Sequence, residues 1–113
     1  MSQDAMDLTA FAEMKEIMGN SFADIISMCL QSLPEQNIKL AEAIDEDDSQ
    51  KIFNIAHRLK SSCSSIGAFG LAEKAETIEL MGRDGSTQNV KQAYAELQDS
   101  LREVISYLEN EGI

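Results

Sequence analysis

The chain contains few of the residues that would cross-link it or draw it to acidic partners. Of its 113 residues none is tryptophan, one is proline, one is histidine and two are cysteine, while 20 acidic residues outnumber 9 basic ones. The net charge of −11 argues against nucleic acid and anionic membranes as partners, because both would repel the chain. No apolar run approaches the roughly 20 residues that span a bilayer. Residues 1–10 lack a signal-peptide core, so we expect a cytoplasmic protein.

The two cysteines and the acidic run are not arranged as metal ligands. Cys29 and Cys63 fall on apolar helical stripes, so we expect them to be reduced and buried. Neither has a histidine or a second cysteine at metal-ligand spacing. The run 45–48 is followed by Gln50 and Ala56 where a calcium-binding EF-hand loop would need glycine and glutamate. We therefore predict no metal site.

Helix-favouring residues dominate the sequence, and apolar residues recur at helical spacing. Gly19, Pro34 and Gly67 are predicted to end helices. The predicted helices cover about residues 7–18, 21–33, 34–44, 48–66, 71–81 and 87–109. Apolar side chains spaced alternately four and three residues apart form a buried seam on the fourth of these helices: Ile52, Ala56, Leu59, Cys63 and Ile66. We predict an all-α fold of one domain, residues 1–113: an up-and-down antiparallel four-helix bundle with an additional short N-terminal helix.

The single histidine, His57, lies in a stretch without carboxylates. Residues 49–72 contain no aspartate or glutamate but three cations, Lys51, Arg58 and Lys60. The helical repeat places His57 and Lys60 on one face beside the buried seam, so we expect the imidazole to be partly exposed. The side chains that follow on this face are small, which would let another protein approach closely. This setting suits a group that at times carries a phosphate, which adds about −1.5 to −2 charge.

The segment 56–68, AHRLKSSCSSIGA, followed by Leu71 and Glu79, resembles the signature of histidine-containing phosphotransfer (HPt) domains. The resemblance implies a four-helix bundle that relays phosphoryl groups between the aspartates of receiver domains in two-component signalling. It further implies that His57 is the phosphoacceptor, through its Nε2 atom, and that Lys60 stabilises the phosphate. Gly67 matches a glycine that permits close approach, and Ser61 stands where many members have glycine.

From these residues we predict a receiver-docking face that consists of Phe53, Ser61, Ser64 and Gly67. The expected partners are receiver domains of response regulators or a hybrid histidine kinase. The chain is expected to need no cofactor, because Mg²⁺ belongs to the partner receiver. It has no glycine-rich loop that could hold ATP phosphates, so no autokinase activity is expected.

Two other hypotheses remain at this stage. A helical adaptor could dock a kinase or receiver and regulate it without accepting phosphate, and a metal-binding bundle would carry metal when purified. Met1 and the complete bundle suggest a free-standing protein, most simply a monomer, but a piece of a larger kinase has the same pattern.

Overall fold

The computed structural model describes residues 5–111. Within that range the chain forms five helices: α1 Leu8–Met18, α2 Ser21–Asp45, α3 Ser49–Ser64, α4 Phe69–Asp84 and α5 Val90–Glu111. Helices α2 to α5 form the bundle and α1 is the short additional helix, so the predicted fold class is confirmed. Residues 1–4 and 112–113 lie outside the described residues, and with them Met1, on which the prediction of a free-standing protein partly depended.

Side-chain hydrogen bonds fix where α1 and α3 begin. The Asp7 carboxylate accepts from the Ala10 backbone N–H at 2.9 Å and starts α1. The Asp48 carboxylate accepts from the Lys51 N–H at 3.1 Å and starts α3. Such caps satisfy N–H groups that have no partner within the helix. The acidic turn before α3 therefore fixes the residue at which α3 begins.

The predicted helix end at Pro34 is wrong, because α2 continues through this residue as one helix of 25 residues. A proline inside a helix removes one hydrogen bond and costs about 3 kcal/mol. Leu33 and Leu40, on either side of it, are completely buried, and each contributes about 1.5–3 kcal/mol of hydrophobic stabilisation. Ile38, four residues after Pro34 on the same helix, points outward and is 60% exposed.

The predicted burial of the seam is confirmed, since all five of its side chains have 0% exposure, but α3 ends at Ser64 and Ile66 lies in the turn that follows. Cys63 belongs to this seam and Cys29 faces it from α2; both are free thiols and buried, as predicted. Burial raises the pKa of Cys63 to about 12, so its thiol stays protonated at neutral pH. With the seam held in the core, the opposite face of α3 has to point outward.

Helix α4 approaches α3 very closely at Gly82. A Cβ atom built on Gly82 would lie 2.7 Å from the Phe53 backbone nitrogen and 2.9 Å from the Ser49 carbonyl oxygen. No side chain can occupy that space without moving the helices apart. The absence of a side chain at Gly82 therefore sets the distance between the two helices.

None of the helices within residues 5–111 is both long and apolar enough to cross a membrane.

Candidate functional site

The His57 side chain projects from α3 on the side that faces α4. It is 56% exposed, and its Nδ1 atom lies 2.7 Å from Oε2 of Glu79. Its ring also stacks on that of Phe53, one helical turn earlier, with 6.2 Å between centroids and 17° between planes. Such offset stacking is a favoured arrangement of ring pairs. Glu79 thus holds the Nδ1 edge of the imidazole and Phe53 stacks on one of its faces, while more than half of the side chain remains accessible.

Glu79 is a buried carboxylate that holds two side chains of α3 at once. Its side chain is 8% exposed, and Oε1 lies 2.8 Å from Nζ of Lys60. Burial alone would raise the pKa of Glu79, but the ion pair with Lys60 and the hydrogen bond from His57 outweigh it and lower the pKa below its ordinary value. The ion pair with Glu79 in turn raises the pKa of Lys60. At neutral pH the pair is therefore a carboxylate and an ammonium.

The charge of Glu79 determines which imidazole nitrogen carries the proton. An ionised carboxylate can only accept hydrogen bonds, so Nδ1 of His57 has to donate to it. In a neutral imidazole the other nitrogen, Nε2, then has a free lone pair. The tautomer follows from this hydrogen bond, and it leaves the lone pair of Nε2 available to another molecule.

The structure brings most of the predicted site residues together, but not all of them. Phe53 is half-buried against His57, Ser61 is exposed one turn beyond it, and Ser64 is half-buried on the following turn. Gly67 instead lies buried under α1 with φ +79°, and a Cβ there would lie 3.0 Å from the backbone nitrogen of Phe11. Its carbonyl accepts from the Asp7 N–H at 2.9 Å. The close approach at Gly67 is thus made by this chain's own α1.

Glu79 was assigned no role from the sequence, where it served only as part of a resemblance. A signal for it does exist. Helical spacing places Glu79 in register with Ala75 and Gly82, both buried small residues of α4. A carboxylate on the buried face of a helix requires a cationic or donating partner, because an unpaired buried charge is costly. The sequence alone could not show that α3 is the helix that supplies this partner.

Comparisons with known proteins identify the family and the fold of this chain. The Hpt domain family model matches residues 24–107, so the chain belongs to the Hpt domain family. Over 76 residues it is 38% identical to the sensor histidine kinase AruS of Pseudomonas aeruginosa, a match that covers 66% of this chain and 8% of the kinase. The fold is that of histidine-containing phosphotransfer protein B (HptB) from P. aeruginosa PAO1, with a TM-score of 0.90 and 21% identity over 96% of this chain and 94% of that one.

Membership of this family supports a histidine phosphotransfer role in two-component signalling. Hpt proteins carry phosphoryl groups and are not themselves kinases. Within residues 5–111, His57 is the one histidine available for that role.

Proposed function

We propose that this chain is a phosphorelay intermediate that accepts a phosphoryl group on Nε2 of His57 from a receiver aspartate and passes it to another receiver. The observation that supports this most directly is the 2.7 Å hydrogen bond between Nδ1 of His57 and the buried Glu79 carboxylate. It leaves a nucleophilic Nε2 on a side chain that is 56% exposed. The geometry thus supplies a pre-oriented nucleophile without any general base.

The proposed step balances without a proton leaving the protein. The Nε2 lone pair forms the N–P bond, and the P–O bond to the receiver aspartate breaks with its electron pair left on the aspartate carboxylate. The imidazole keeps its Nδ1 proton and becomes a cation. Glu79, buried and ionised, faces this new charge across the existing hydrogen bond. Its contribution is electrostatic stabilisation that is in place before the reaction begins.

We propose that Lys60 also supports the transfer step, in addition to Glu79. Its ammonium lies 2.8 Å from Oε1 of Glu79 and one turn beyond His57 on the same face, and its side chain is 29% exposed. A lysine binds phosphate as a point charge on a long, rotatable stem. Lys60 can therefore turn from Glu79 towards the phosphoryl oxygens and offset their charge.

The proposed docking face consists of Phe53, Ser61 and Ser64 around His57. Gly67 contributes to it only by ordering the turn between α3 and α4 beneath α1. We further propose a single-domain, cytoplasmic monomer without autokinase activity, in which Mg²⁺ is supplied by the receiver alone.

The experiment that tests the proposal mixes the purified chain with a phosphorylated receiver and follows the phosphate. We expect phosphate on this chain that is labile to acid and stable to alkali, as for a phosphoramidate, and that maps to the peptide containing His57. Profiling a panel of receivers would then identify the partners. Acid-stable phosphate on one of the serines, or no transfer from any receiver, would contradict the proposal.

Lys60→Ala is expected to slow phosphoryl transfer about 10-fold or more, or to shorten the phosphohistidine lifetime to a similar extent, because a cation near the developing charge is lost. The measurement is a single-turnover time course with the phosphorylated receiver. Lys91→Ala is the matched control. Lys91 is exposed on α5, which packs on α2 and α4 but not on α3, the helix that carries His57. Wild-type rate and lifetime in Lys60→Ala would refute the role of Lys60.

A further inference from the structure

We propose that Arg58 recognises the carboxylates of the partner receiver and thereby sets the affinity of the encounter at His57. The proposal rests on the proposed function and adds a partner-recognition residue to it. Arg58 lies directly beside His57 on α3, and it is exposed.

The first observation is that the charge of Arg58 is not used within the fold. Helix α3 carries three cations, and two of them already have partners. Lys51 pairs with Glu46 at 3.2 Å and Lys60 pairs with Glu79 at 2.8 Å. Arg58 makes no ion pair or side-chain hydrogen bond with any part of the chain that the structure describes. Its guanidinium is therefore available to another molecule.

The second observation is the position of Arg58. Ser61 is four residues after His57 and three after Arg58, so these three residues are neighbours on the helix surface. All three are exposed, and the serine is too small to cover either neighbour. A protein that covers both His57 and Ser61 therefore comes within reach of the guanidinium.

The third observation is the charge of the segment around His57. Residues 49–72 contain no carboxylate, although the chain has a net charge of −11, and Glu79, which approaches from α4, is buried and paired with Lys60. A receiver that presents an aspartyl phosphate with Mg²⁺ must bring further carboxylates, because Mg²⁺ in such sites is held by carboxylates and phosphate oxygens. Most of this chain's surface would repel that partner. Arginine binds carboxylates through two parallel hydrogen bonds, which fix orientation as well as charge.

The test is Arg58→Glu, with transfer from a phosphorylated receiver measured as kcat/KM at several salt concentrations. At low ionic strength we expect a loss of about 10-fold or more, because opposite charges accelerate encounter. The loss should shrink as salt increases, since exposed charges are screened. The single-turnover rate at saturating receiver should remain within about twofold of wild type, because Arg58 does not touch the reacting atoms.

Lys91→Glu is the matched control. It makes the same change in charge at an exposed lysine of α5, which does not pack on α3. We expect at most about a twofold loss there, the residual effect of overall charge. Equal losses in the two variants, or no loss in Arg58→Glu, would overturn the proposal.

Phosphoramidate separates the failure of this proposal from the failure of the proposed function. This small donor needs no docking surface, so it should phosphorylate His57 equally well in wild type and in Arg58→Glu. If wild-type protein takes phosphate from the receiver and Arg58→Glu does so equally well, only the role of Arg58 fails. If wild-type protein takes phosphate from neither donor, the proposed function itself is contradicted.

Discussion

Substituting His57 with glutamine is expected to abolish phosphoryl transfer, with a loss of more than about 1,000-fold that is typical when a nucleophile is removed. A glutamine amide nitrogen is not nucleophilic, because its lone pair is delocalised into the carbonyl. The measurement is the amount of acid-labile phosphate that the chain takes from a phosphorylated receiver. Transfer at the wild-type rate in His57→Gln would end the proposal that His57 is the phosphoacceptor.

The same variant distinguishes the carrier from the adaptor hypothesis. Glutamine can still donate a hydrogen bond to Glu79, and Glu79 keeps its ion pair with Lys60, so we expect the bundle to fold normally. Receiver binding should therefore persist while transfer is lost. An adaptor would retain its full regulatory effect in His57→Gln, whereas a carrier would lose it.

Gly82→Ala is expected to destabilise the bundle and to slow transfer together. The new Cβ would lie 2.7 Å from the backbone nitrogen of Phe53, and backbone atoms cannot turn aside as a flexible side chain can. Overpacking of this kind costs about 1–3 kcal/mol in the free energy of unfolding. The α4 helix has to move away from α3, and Glu79, one turn before Gly82, has to move with it. A displacement of about 1 Å at a positioning group can slow a reaction up to about 100-fold.

The measurements are chemical denaturation and the single-turnover transfer rate. Gly85→Ala is the matched control at the end of the same helix, where a Cβ would meet no atom within 4 Å but φ is +71°. That variant should lose stability, because the left-handed backbone disfavours alanine, and should transfer phosphate at the wild-type rate. If Gly82→Ala transfers as fast as Gly85→Ala, the helix spacing at Gly82 does not position Glu79.

The parts of the site that lie on one helix could be predicted from the sequence. The apolar seam of α3 determines how the helix is rotated, and the 3.6-residue repeat then places His57 and Lys60 on the neighbouring face. The predicted start of this helix at about residue 48 also agrees with the cap that Asp48 forms on α3. These features depend on local periodicity, which one sequence contains in full.

Features that depend on contacts between helices could not be predicted in the same way. The hydrogen bond between His57 and Glu79 joins residues 22 positions apart, and its existence depends on how closely α4 approaches α3. Helix α2 continues through Pro34 because its buried side chains outweigh a local cost. Gly67 leaves room for α1 of the same chain. The sequence alone does not show whether the group that approaches this glycine belongs to the same chain or to a partner protein.

The location of the proposed phosphoacceptor, His57, at the end of a half-exposed side chain has a consequence for how the signal is detected. The α3 residues beneath it are fully buried and belong to the core, whereas a group added at Nε2 would extend into solvent. We therefore expect the phosphorylated and unphosphorylated forms to have the same shape and to differ in charge at one point of the surface. We expect a partner to distinguish the two forms by contact with the phosphoryl group and with the Lys60 side chain that turns towards it, because the helices keep their positions.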